Sequence, residues 1–169
     1  QEAMTPQPTA TLTPSATATP TLVASPTPTT TFPDVPAYVV ETIALGQAPH
    51  GVAIDQRTGL AYVANYGSND VSIIDSAQGR MVGTVDLGGA AGCEGIAVDS
   101  LRGLAYVCGS LSGDVTAIDL TAQAVAGRVD LSTAPMQVEV DENTGRLYVL
   151  GVGAPNLLAL DQGSLSVLR

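Results

Sequence analysis

One unit occurs three times in this chain of 169 residues, and that constrains its fold more than any other feature. His50-Gly51-Val52-Ala53-Ile54-Asp55 is echoed by Glu94-Gly95-Ile96-Ala97-Val98-Asp99 and by Met136-Gln137-Val138-Glu139-Val140-Asp141. Thr58-Gly59-Leu60-Ala61-Tyr62-Val63 returns as Arg102-Gly103-Leu104-Ala105-Tyr106-Val107 and as Thr144-Gly145-Arg146-Leu147-Tyr148-Val149. Val71-Ser72-Ile73-Ile74-Asp75 matches Val115-Thr116-Ala117-Ile118-Asp119 and Leu157-Leu158-Ala159-Leu160-Asp161. Tyr62, Tyr106 and Tyr148 stand 44 and 42 residues apart, as do the closing aspartates.

Within each unit, short apolar runs rich in β-branched residues are punctuated by Gly, Asn, Asp and Ser, the pattern of short strands joined by tight turns. No segment sustains a 3.6-residue period, so helix is not expected. In the first unit the strands fall near 51–55, 60–65, 71–75 and 81–87. Four strands in roughly 40–45 residues is the arithmetic of a β-propeller blade. The fold class is therefore all-β: three four-stranded propeller-type blades, at about 47–88, 89–132 and 133–169, forming an incomplete β-propeller. An extended Thr/Pro-rich tail precedes them.

The run Tyr62-Val63-Ala64-Asn65, taken with 49–55 before it and 71–75 after it, resembles the YVTN-type propeller repeat. That family occurs in cell-surface and other exported proteins, and the resemblance spans about residues 38–169. The second unit departs from the pattern at Cys108-Gly109 and the third at Leu150-Gly151, where the Asn is missing. Such a repeat implies a fold rather than an activity.

Residues 1–36 are of a different kind. They hold eleven Thr and eight of the chain's eleven Pro, with Glu2 and Asp34 as the only charges. So little apolar area cannot offset the entropy of ordering, and the segment is expected to be an extended arm. Thr/Ser-rich sequence with interspersed Pro also marks O-glycosylated stalks. The candidates are Thr5, Thr9, Thr11, Thr13, Ser15, Thr17, Thr19, Thr21, Ser25, Thr27, Thr29, Thr30 and Thr31. No Asn-x-Ser/Thr sequon is present. A start at Gln1 without an apolar signal segment fits an exported, extracellular or cell-surface protein whose leader has been removed.

The blade count raises the question of function. Propellers close with about 4–8 blades, and this chain encodes three. A further strand at 38–45, carrying Tyr38, Val39, Val40, Thr42 and Ile43, mirrors the outer strand 82–88 but has no blade of its own. Leu147, Val149, Leu157, Leu158, Leu160, Leu165 and Val167 suggest a last sheet as apolar as the middle one. If several hundred Å² are bare, covering them is worth on the order of 10 kcal/mol before association costs. The expectation is self-association into a homo-oligomer or polymer through blade faces and the N-terminal arm, as a structural subunit of an extracellular filament or surface layer. A stalked binding module whose dimer closes a six-bladed ring is the alternative.

Chemistry is sparse. Sixteen acidic residues face six basic ones, all Arg, for a net charge of -10, which disfavours nucleic acid and anionic membranes as partners. No apolar run approaches the ~18 residues of a membrane span. One His and two Cys are too few for a His-rich metal site, so no cofactor or metal is expected. His50, alone of its kind, is expected to be a simple loop or channel-facing residue rather than a ligand or acid–base group. No Ser-His-Asp set or Gly-x-Ser-x-Gly elbow can be assembled, and the chain does not read as an enzyme. The repeated aspartates read as turn caps and the repeated tyrosines as packing between blades. Cys93 and Cys108 flank one hairpin. If it turns over 100–103, Gly95 faces Cys108 and Cys93 lies two residues along, close enough for a disulfide.

Overall fold

The computed structural model describes residues 41–153 and 157–168. The thirteen glycosylation candidates, together with Tyr38, Val39 and Val40, lie outside the described residues.

Eleven strands form three antiparallel sheets, and no helix is present among the described residues. The first blade holds β1 (Pro49–Ile54), β2 (Leu60–Asn65), β3 (Asp70–Asp75) and β4 (Arg80–Asp86) in chain order. The second repeats this with β5 (Cys93–Asp99), β6 (Leu104–Gly109), β7 (Asp114–Asp119) and β8 (Ala124–Asp130). The third holds β9 (Ala134–Asp141), β10 (Arg146–Val152) and β11 (Leu158–Asp161). The outer strand expected after β11 is reduced to a single bridge, Leu160 to Val167.

The repeated aspartates make the turns. Gly59, Gly103 and Gly145 close the inner hairpins with φ of +72°, +68° and +68°, where a Cβ would be strained. Each donates its N–H to the carbonyl of Asp55, Asp99 or Asp141 at 2.8–2.9 Å. The same aspartates accept backbone N–H bonds from Arg57, Arg102 and Asn143. Asp75, Asp119 and Asp161 cap the next turns by accepting from Ala77, Thr121 and Ser164. The carboxylate that begins each turn thus supplies the acceptor its backbone donors need.

Alternation along the strands assigns every side chain to one of two faces. Tyr62, Ala64, Val71 and Ile73 of the first blade bury against Ile96, Ala105, Val107 and Ile118 of the second. Tyr106, Cys108, Val115 and Ala117 of the second bury against Val138, Leu147, Val149 and Leu160 of the third. Hydrogen bonds join the blades as well: Gln56 N–H donates to Ser100 Oγ at 3.0 Å, and Ser100 N–H to Glu142 Oε1 at 2.7 Å.

Two expectations need correction. Cys93 and Cys108 are both free and buried. The hairpin pairs Ala97 with Tyr106 as expected, but a bulge between Cys93 and Ile96 shifts the register so that Cys93 lies opposite Gly109. A one-residue slip turns a side chain to the other face of the sheet. Cys93 therefore belongs to the core between the first and second blades and Cys108 to the core between the second and third. The sheet stands between the two thiols and no disulfide forms.

Thr42 and Ile43 are not in a strand either; Glu41–Leu45 carries no regular structure. The segment instead runs beside the first blade. Gly46 N–H donates to Ser72 Oγ, Gln47 N–H donates to Ser68 Oγ, and the Glu41 carboxylate lies against Gly79. It acts as a strap over part of the face that, in the other two blades, packs against a preceding blade.

Candidate functional site

The innermost strands β1, β5 and β9 stand side by side, and each is bulged at the equivalent place. The irregularities fall at 49–52 on β1, at 93–96 on β5, and on β9 where Leu150 pairs Gln137 but Gly151 pairs Pro135. A bulge re-aims side chains out of the ladder. Residues 50–52, 94–96 and 136–139 consequently line an open groove of about 320 Å³ at the axial edge. His50 lines it, with its ring stacked on Tyr66 at 5.1 Å between centroids. Glu94 accepts a hydrogen bond from Ser110 Oγ at 2.8 Å. Gln137 Nε2 donates to Glu139 Oε1 at 3.3 Å. These groups can hydrogen-bond a polar ligand. Among the described residues no set of three His, Cys, Asp or Glu is placed to hold a metal ion.

The buried polar groups are structural. Burial pushes the Asp99 carboxyl upward, but hydrogen bonds from the Arg102 side chain and backbone and from Gln162 outweigh it and hold the group below the usual carboxylate range. Arg102 Nη1 lies 2.8 Å from Asp99 Oδ2. Arg128 Nε pairs with Asp114 Oδ2 at 2.8 Å, and its other arm donates to the Leu87 carbonyl, tying the second blade to the first. Burial first, then the Asp114 and Asp70 charges, push the Cys93 thiol up to about 11. Burial, then Glu94 and Asp114, push Cys108 up to about 12. Both thiols are inert at neutral pH.

The motif asparagine now has a job. Asn65 Nδ2 donates to Asp70 Oδ1 at 2.6 Å and Ser72 Oγ at 2.9 Å, bracing the β2–β3 hairpin. In the second unit a Cβ on Gly109 would lie 2.2 Å from Ser112 Oγ and 2.3 Å from Asp114 Oδ1, so those groups fill the space the asparagine occupies in the first.

The repeat tyrosines separate the blades. Tyr62 and Tyr106 are 1% and 0% exposed, each under the following blade, whereas Tyr148 is only half-buried. The apolar residues expected of the last sheet divide between its two faces. Leu147, Val149 and Leu160 point inward to the core, and Leu158 and Leu165 pack on it. The outward face carries Gln137, Glu139 and Arg146, all exposed, around Tyr148, Leu150 and Leu157. Sequence reasoning missed these three substitutions, although comparing the units position by position displays them.

No protein-family model and no curated protein sequence matches the chain. It is similar in structure to the hydrazine synthase of Kuenenia stuttgartiensis, with a TM-score of 0.66 and 18% identity over 79% of this chain and 38% of that one. It is also similar to a chain of a nidogen/laminin complex, with a TM-score of 0.63 and 16% identity over 73% of this chain and 48% of that one. The chain thus spans less than half the length of either. The likeness shows a β-propeller-like fold, in agreement with the three sheets. No helix among the described residues is long and apolar enough to cross a membrane.

Proposed function

We propose that this chain is a non-catalytic structural component of an extracellular filament or surface layer. Its blades would be YVTN-type units, and it would assemble through the open face of its first blade and its N-terminal arm, residues 1–36, which is O-glycosylated. The observation that carries this reading is unequal cover at equivalent positions. Val52 and Ile54 are 64% and 49% exposed, while Ile96 and Val138, which match Val52, are 8% and 1% exposed beneath a neighbouring blade. The strap 41–47 reaches Ser72, and Val63 and Ile74 on the same face are buried, but the β1 strip stays open. Apolar strips of this kind mark contact surfaces. A second copy supplies the arm that lies across it. Sedimentation and electron microscopy of the full chain test the idea. Concentration-dependent polymers that shorten or vanish when 1–36 is deleted are expected; a monomer unchanged over all concentrations contradicts it.

The axial groove favours a second reading, capture of a small polar ligand beside His50, Glu94 and Gln137. Its test is whether binding of such a ligand is lost in Glu94→Ala.

A further inference from the structure

We infer that the outward face of the third blade is a terminal face, built to refuse a further blade, so that copies of this chain do not complete one another's ring by stacking blade on blade.

The argument starts at the inner strands, where neighbouring blades come closest. A Cβ placed on Gly51 would lie 2.3 Å from the Glu94 carbonyl oxygen. One placed on Gly95 would lie 2.5 Å from the Met136 carbonyl oxygen and 2.7 Å from Gln137 Cα. These are backbone atoms, which cannot swing aside as a side-chain tip can. Each observed blade-to-blade contact therefore requires glycine here, for close approach rather than for its φ. The third unit has Gln137 at this position. A fourth blade docked as the second and third are docked would meet that side chain with its own backbone.

Two further positions change in the same sense. Ala53 and Ala97 pack at their interfaces, and the third unit places Glu139 there. Leu60 and Leu104 pack against the same cores, and the third unit places Arg146 there. Arg146 lies between Asp141 and Asp161 in the ladder and is exposed, so this position now carries a charge where the other units carry leucine. Glu139 has Tyr148 opposite it. The face an incoming blade presents is represented by Val52, Ile54, Val63 and Ile74, all apolar. Burying that carboxylate against apolar side chains, with only the Gln137 amide donating to it, would be unfavourable. These three polar side chains surround Tyr148, Leu150 and Leu157 on the outer face, and polar groups at such positions are what terminal repeats of stacked arrays require.

The inference concerns the opposite end of the arc from the surface in the proposed function, and the two fail separately. A cysteine at Gln137, in a chain whose own thiols are buried, reports cover of the terminal face. Its labelling rate in the full chain is expected to be the same in dilute and concentrated protein, whether or not the native chain polymerises. Labelling that slows as concentration rises would overturn the inference while leaving self-association intact. In the triple variant Gln137→Gly, Glu139→Ala, Arg146→Leu the refusal should be lifted. Its mass-average size is expected to rise at least twofold over the native chain at equal concentration. A folded triple variant that associates no more than the native chain would also overturn the inference. Should that variant not fold, the cysteine reporter decides alone.

Discussion

The two outermost sheets of this arc start from the same repeat and finish differently. The first blade keeps the apolar residues that would meet a preceding blade; a strap of irregular chain reaches that face at Ser72, and Val52 and Ile54 stay exposed. The third blade has exchanged the residues that would meet a following blade for Gln137, Glu139 and Arg146. One end is therefore left open and the other is finished. In a stacked array each unit contributes half of an interface on either side. Function is accordingly more visible where units depart from their shared pattern than where they agree.

The largest effect expected from breaking this comparison is at the glycine position. Gly95→Gln transplants the terminal residue into an internal interface, where its Cβ meets the backbone of the third blade. It should destabilise the protein by about 3 kcal/mol or more, as severe overpacking does. Gln137→Gly should cost no more than about 1 kcal/mol, the conformational penalty of glycine in a strand. Urea denaturation of the two variants beside the native chain measures both. Equal effects would show that the two positions see the same surroundings.

The tyrosines follow. Tyr106→Ala leaves a cavity between two blades and should cost about 3–5 kcal/mol. Tyr148→Ala, on the half-covered face, should cost about 1 kcal/mol or less. Thermal or chemical unfolding reads the difference, and a Tyr148→Ala loss equal to that of Tyr106→Ala would mean that the outer face is packed.

A smaller contrast concerns the aspartate turns. Asp99 is buried beneath Gln162, whereas Asp141 at the matching position is only half-buried. Gln162→Ala removes a donor to a buried carboxylate and should cost about 1–3 kcal/mol. Asp55, Asp99, Asp141 and Asp161 all have folded carboxyls held below their ordinary values by hydrogen bonds. Below about pH 4 the unfolded chain binds protons that the folded chain resists, so their stabilisation is complete above that pH and is lost as pH falls further. Unfolding midpoints measured from pH 6 down to pH 2 should decline through that window, and Gln162→Ala should decline less steeply. A midpoint independent of pH across that range would contradict the assignment.

Much of this fold was legible in the sequence. The four strands of the first two units, the aspartate turns and the pairing of Ala97 with Tyr106 all follow from local periodicity and turn chemistry, which act over a few residues; the fourth strand expected of the third unit is reduced to one bridge. The disulfide reading failed because one bulged residue inverts a face. Gly51 and Gly95, inside runs that otherwise read as strands, were the available sign of it. The strand expected at 38–45 failed over its described part, at Thr42 and Ile43, because likeness to an outer strand cannot supply the neighbouring strand it would pair with. The mixed character of the last sheet's outward face was missed because residues were counted without regard to face: Leu147 and Leu160 point inward, while Gln137 and Arg146 share the outward face with Leu150 and Leu157. The axial groove was anticipated only through His50, since three bulges from distant segments create it.

The central claim is the difference between the ends, and paired reporters test it most directly. Full-length chains carrying Val52→Cys or Gln137→Cys are labelled with a thiol reagent across a range of concentrations spanning the onset of association. The cysteine at 52 should become protected as copies associate, while the cysteine at 137 keeps the reactivity of a free surface. Protection at 137, or equal protection at both, would contradict the account.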